Sequence, residues 1–240
     1  MLERFPHRIR HRAKTHKAYE SKPFYVSYDE GQRPRMYQEA FEKLELDETA
    51  QILDRVSPLL EGVTFDPVET TILAAEIPFY PGCKLLDVAN HTTMPPQRRF
   101  VIYSTKHATV INFHNECIYK FNDDLPIKLD ENNVGTYVRF FFTYVRGKHG
   151  RFIVVENIDD INWKEDPPPS ARQAIGRMIK PVSLTKEIGK DGVFHLEARI
   201  VFKDSLFKSK VVVQPNGLVT LSDEELLVED MPVLDDTFGQ

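Results

Sequence analysis

The stretch that most restricts the fold is "VFHLEARIVF", residues 193–202. Phe194, Leu196, Ala198, Ile200 and Phe202 alternate with the polar His195, Glu197 and Arg199. A period of two places one row on each side of a strand. Apolar on one side and polar on the other is the pattern of an antiparallel sheet with one wet face. Around it lie "VSLTKEI", "LFKSKVVV" and "LVTLS", separated by "GKDG", "KDS" and "QPNG". Those separators carry the Gly, Asp, Asn and Pro of hairpin turns. Residues 182–222 therefore predict a four-stranded meander.

A second set of short runs predicts central antiparallel hairpins. They are "KLLDVAN" (84–90), "RRFVIYST" (98–105), "ATVINFH" (108–114) and "CIYKFN" (117–122). With Asn115-Glu116 as a two-residue turn, His114 and Cys117 would face each other across the strands. "FYVSY" (24–28) alternates as a further short strand.

Three segments read as helical. From Met36 to Gly62, Leu46, Ile52, Leu53, Val56, Leu59 and Leu60 build one face, with a cap at Asp47, a break near Val56 from Pro58, and a stop at Gly62. In "FDPVETTILAAEIP", Asp66 stands as N-cap, Pro67 at N1 and Glu69 at N3, which predicts a helix ending before Pro78. In "LDENNVGTYVRFFFTYVRG", Val134, Val138, Phe141 and Val145 share a helix face, with Asp130 as N-cap and Gly147 past the end. Three successive helical residues span about 200° of azimuth. Phe140, Phe141 and Phe142 then cannot share one exposed surface, so a buried central helix is predicted over 130–146. "RFIVVE" follows as a strand, and "SARQAIGRMIK" as a short helix ending at Pro181.

The fold class is thus α+β: central hairpins and a C-terminal four-stranded meander, both antiparallel, with N-terminal helices and one buried central helix. The 240 residues suffice for one large domain or two small ones. The chain divides into a basic arm (1–22), an α+β main region (23–158), a Pro-rich connection (159–169), a helix-plus-meander region (170–222) and an acidic tail (223–240).

Charge is divided between the ends. Residues 1–22 hold seven Lys and Arg against Glu3 and Glu20, a net of +5 within a chain of net −5. Residues 222–240 hold seven acids and no Lys or Arg. An acidic body disfavours gripping a duplex, whereas the arm suits a polyanion. Arg4, Arg8, Arg10, Arg12, Lys14 and Lys17 are its candidate phosphate contacts, which supply affinity with little sequence information. The turn "RGKHGR" adds Arg146, Lys148 and Arg151. It is no P-loop, because Phe142 stands where that pattern needs glycine and His149 where it needs Ser or Thr. In the tail, Leu226, Leu227, Met231, Val233, Leu234 and Phe238 interleave with acids as a partner-binding segment would.

The chemistry of the remaining motifs is sparse. Nucleophile-elbow, zinc-protease, dinucleotide-binding and kinase signatures are absent. Adjacent acids such as Asp123-Asp124 and Asp159-Asp160 read as turn residues. No cofactor is implied. Two cysteines, Cys83 and Cys117, fit free thiols in a reducing compartment, the cytoplasm by default. No apolar run is long enough for a membrane span. The reading is a non-enzymatic binding or adaptor protein, with nucleic acid or an acidic partner at the arm and a protein at the tail. The alternative is a metal-dependent hydrolase or nuclease using His107, His114, Cys117 and nearby acids.

Overall fold

A predominantly alternating chain has to bury its apolar rows, and here it does so with two antiparallel sheets. The computed structural model describes residues 41–60 and 62–234. The first sheet takes its strands in chain order: β1 (Glu42–Lys43), β2 (Thr70–Glu76), β3 (Lys84–Asn90), β4 (Gln97–Tyr103) and β5 (Ala108–Val110). Helix α1 (Leu46–Val56) packs Ile52, Leu53 and Val56 on one face of it, against Ile72, Leu86, Val88 and Val101.

The second sheet is built from β6 (Arg146–Gly147), β7 (Gly150–Val154), β8 (Ser183–Leu184), β9 (Phe194–Phe202), β10 (Ser205–Val213) and β11 (Val219–Val228). Its order is β11-β10-β9-β7-β6, with β8 pairing β9 alongside β7. The predicted meander is β8 to β11, and β9 keeps the expected sidedness over its first half but not beyond, where Val201 on the polar side is buried in a second core cluster. Phe194, Leu196, Ala198 and Ile200 are buried, and Glu197 on the other side meets Lys208 of β10. Arg199, on that same side, is nevertheless buried, donating to the Met178 carbonyl and to Glu197. Strand β7 pairs with β9 across the Pro-rich stretch 159–169.

Between the sheets run α2 (Asn115–Asp124) and α3 (Val134–Tyr144). Helix α3 is buried nearly all round, as a helix flanked by apolar layers must be. Its three phenylalanines point three ways. Phe140 meets Phe79 beside the first sheet, Phe141 stacks on Tyr119 of α2, and Phe142 meets Phe152 of β7. The last helix, α4 (Pro169–Gly176), places Ile175 in a smaller cluster with Val201, Leu206, Met231 and Val233.

Several local expectations need correction. The segment 66–77 holds a turn followed by strand β2, not a helix. Asp66 closes a single turn, its Oδ1 accepting the Val68 N–H at 2.8 Å and its carbonyl the Thr70 hydroxyl at 2.6 Å. The β-branched Thr70, Thr71 and Ile72 then favour a strand, and β3 supplies a full ladder. The segment 117–122 is helical, because Ile118, Phe121 and Asn122 are buried at the helical spacing. Residues 41–45 precede α1 and include β1, whereas the helical reading began at Met36. Asp130 is not the cap of α3. Its Oδ1 accepts the N–H groups of Asn132 and Asn133, and Asn133 is the N-cap. Gly147 does not end the helix either: Val145 is already extended, and Gly147 pairs with Gly150 in the β6–β7 hairpin. "FYVSY" lies outside the described residues.

Candidate functional site

Strand β6 forms one edge of the second sheet, and the turn that follows it is basic. Arg146 and Arg151 are register partners across the β6–β7 hairpin, and Lys148 and His149 stand exposed at its tip. Gly147 is required there, since a Cβ would meet the Phe152 ring at 2.6 Å. From 140 to 155 the chain carries no acid.

Behind the hairpin lies an aromatic support that the sequence does not announce. The guanidinium of Arg146 sits 4.2 Å from the centroid of Phe113, and its backbone N–H donates to the Phe113 carbonyl at 2.9 Å. Phe113 holds φ at 63°, a conformation uncommon for a bulky side chain and maintained only by surrounding contacts. Its ring meets Phe100 edge-on at 6.4 Å, and Arg98 lies 5.4 Å from the Phe100 centroid. Arg98, Phe100, Phe113 and Arg146 thus form a row of two adjacent rings with a cation at each end, each cation resting on its ring by a cation–π contact. Phe113 and Arg98 are residues that sequence reasoning missed. The positive φ of Phe113 is backbone information, and the two arginines are 48 positions apart in the chain.

Arg98 is anchored below by Asp87, whose carboxylate accepts both Nε and Nη2. The Asp87 side chain is only 5% exposed. This bidentate pairing fixes the planar fork of the guanidinium. Arg4, Arg8, Arg10, Arg12, Lys14 and Lys17 fall outside the described residues.

At the opposite edge lies β11, and the predicted protein-binding residues divide there. Leu226 is 49% exposed and Leu234 is 40% exposed. Leu227 is half-buried, while Met231 and Val233 are buried in the cluster around Ile175. The last two serve the protein's own core, since backbone pairing of Val233 with Trp163 draws the segment inward. Phe238 lies outside the described residues. The acids of 223–228 are not a free tail: they belong to β11, with Asp223 paired to Lys210 and Glu225 to Lys208. Burial, with the neighbouring Asp223, pushes the Glu224 carboxyl up.

His114 and Cys117 do not face each other across strands. His114 precedes α2 and is exposed, and the Cys117 thiol, in the first turn, reaches the His114 carbonyl at 3.0 Å. Burial pushes the Cys117 thiol up, and that of Cys83 likewise, which disfavours the thiolate that a nucleophile or ligand needs. His107 lies in the turn before β5, its N–H donating to the Ser104 hydroxyl. Among the described residues, no group of three His, Cys, Asp or Glu side chains could hold a metal ion.

The fold defines the class: an α+β protein of two antiparallel sheets with helices between and outside them. Comparison with known proteins finds no matching family model, no matching curated protein and no matching solved structure. Among the described residues, no helix is long and apolar enough to cross a membrane.

Proposed function

We propose that this chain is a non-enzymatic binding or adaptor protein. Its basic side engages nucleic acid or another polyanion, and its apolar-acidic C-terminal side engages a protein. The observation that carries this reading is the charge division of the second sheet. Arg146, Lys148 and Arg151 gather at the β6 edge, backed by Phe113. Glu224 in β11 and Glu229 and Asp230 just beyond it lie near the exposed Leu226, while Asp223 and Glu225 are paired to Lys210 and Lys208. Guanidinium groups suit phosphate oxygens, and aromatic rings suit the faces of bases. The arm extends the same chemistry with six further cations, from Arg4 to Lys17.

The test is binding of a fluorescent single-stranded oligonucleotide across a salt series. Full-length protein is compared with a chain lacking residues 2–17 and with Lys148→Glu. Removing one phosphate-binding cation lowers the magnitude of the log–log salt slope by about 0.7 for a single strand. The deletion is expected to flatten the slope strongly, and Lys148→Glu to flatten it by about the amount of one such cation. Salt-independent binding, or binding that neither change alters, refutes the reading.

A further inference from the structure

Beyond β11 the chain bends at Asp230 and lays "MPVL", residues 231–234, along residues 162–164. The Met231 N–H donates to the Asp204 carbonyl and the Leu234 N–H to the Asn162 carbonyl, both at 2.8 Å. The Pro232 carbonyl accepts the Lys164 N–H at 2.7 Å. The side chains alternate. Met231 and Val233 are buried in the cluster around Ile161, Ile175 and Leu206, and Pro232 and Leu234 are exposed. Main-chain bonds along an edge, with alternate side chains in pockets, are the way an extended peptide docks on a folded body. Here the docked peptide belongs to the same chain.

The docked position is loosely packed and carries two costs. Two clefts, of about 350 and 300 Å³, share Asp230 and Met231 in their walls. One is also lined by Lys203 and Val233, the other by Ile175 and Pro232, so open space flanks the segment where a core strand would be close-packed. The first cost falls on Trp163, which pairs with Val233. Its indole Nε1 is buried with no hydrogen-bond partner among the described residues. A buried donor without an acceptor has lost its bond to water, and opening restores it. The second falls on Asp230, which holds φ at 56°, a left-handed conformation unfavourable to a residue with a Cβ.

We propose that residues 230–234 are a clasp that opens as a unit while both sheets stay folded, bringing Met231 and Val233 to the surface. Opening relieves the strain at Asp230 and the unpaired Trp163 Nε1 together, at the expense of two buried side chains and the main-chain bonds to Asp204, Asn162 and Lys164. Elements that open locally in this way lie at the low-stability end of a fold, where moving parts are found. The opening itself needs no partner. Its use rests on the reading that the C-terminal side engages a protein, and it regulates that side. Leu226 and Leu234 are on display in the closed state, and Met231 and Val233 are withheld until the clasp opens. A partner that needs all four then binds with an apparent affinity reduced by the closed fraction.

The experiment is residue-resolved amide hydrogen exchange on the full chain, with emission of Trp163, the one tryptophan of the sequence, as a second readout. The N–H groups of Lys164, Met231 and Leu234 are expected to exchange at least about tenfold faster than the interior of β9 and β10, at rates that low urea does not raise. Asp230→Pro changes an exposed position to a residue that cannot hold φ at 56°. It is expected to speed exchange of the same three groups by about tenfold or more and to shift Trp163 emission to the red, with β9 and β10 still protected. Val233→Ala, which removes buried contact and leaves the bend alone, is expected to act in the same direction. Exchange of the three groups at the rates and urea dependence of β9 and β10 overturns the inference. So does loss of β9 and β10 protection together with the clasp in both variants. Failure of the protein-binding reading looks different: neither the wild type nor Asp230→Pro binds a protein, and the exchange rates stand as they are.

Discussion

The phenol of Tyr137, in the middle of α3, donates a 2.6 Å hydrogen bond to the carbonyl of Gly217, eighty residues away in the turn between β10 and β11. The same turn is held from α2. Asn122 donates from Nδ2 to the Asn216 carbonyl at 2.9 Å, its Oδ1 accepts the Tyr80 phenol, and the Tyr119 hydroxyl accepts the Val219 N–H at 3.2 Å. Helices and sheet are thereby locked in register by polar groups inside an otherwise apolar core. Such groups carry a high cost when one partner is removed.

Tyr137→Phe leaves the Gly217 carbonyl without this buried donor, a loss of about 1–3 kcal/mol. Gly217→Ala is the more damaging change. Gly217 holds φ at +82°, and a Cβ would meet Asn122 Nδ2 at 2.5 Å and the Tyr137 hydroxyl at 2.9 Å. Strain and displacement of the network then add to one another. Urea unfolding should show a lower midpoint for both variants with an unchanged slope, and the lower of the two for Gly217→Ala.

The same phenols set an alkaline limit. Burial, the largest cause, pushes Tyr80 and Tyr137 above the ordinary phenol value of 10.0. Below about pH 10 both are protonated whether the chain is folded or not, so their contribution is complete. Above it the unfolded chain releases these protons and the folded chain retains them, so stability falls as pH rises. Unfolding free energies measured in steps from about pH 8 to about pH 11 should stay level and then decline. Tyr80→Phe, which removes one of the two phenols, should make the decline shallower.

The Arg98–Asp87 pair gives a third prediction, because its two members are not equivalent. Asp87 is buried and Arg98 is 30% exposed. Arg98→Met strands a carboxylate in the first sheet, at a cost toward the range of about 3–5 kcal/mol known for broken buried pairs, reduced by the access of water to this one. Asp87→Asn keeps a hydrogen-bond acceptor and should cost less. Thermal unfolding orders the two variants. If Arg98→Met also weakens oligonucleotide binding more than its stability loss explains, the cation–ring series across Phe100 and Phe113 serves the basic face as well as the fold.

How legible all this was depends on the range of the forces involved. Alternation in 193–202 and the turns around it define β9 to β11 because strand period and hairpin chemistry are local. The "FFF" run was legible as a helix from the spacing of Val134, Val138, Phe141 and Val145, and as buried from azimuth, although nothing in it said that Phe140, Phe141 and Phe142 would each meet a different element. Residues 66–77 and 117–122 exchanged their expected states for one reason. Each carries weak and conflicting local signals, and the partner surface decides: β3 offers a ladder to the first, and the space between two sheets admits a helix as the second. The arrangement of Phe113, Arg146 and Arg98 was not legible at all.

By itself, then, the sequence determined the class, the period of β9, the turns of the C-terminal meander and the opposite charges of the two ends, since these follow from neighbours within a few residues. Only the tertiary structure decided which alternating or capped segment became helix or strand, that Met231 and Val233 are core while Leu226 is surface, and which arginine rests on which ring. Those outcomes depend on contacts between residues tens of positions apart, whose energies exceed local propensities of a few tenths of a kcal/mol and are absent from any short window of the chain.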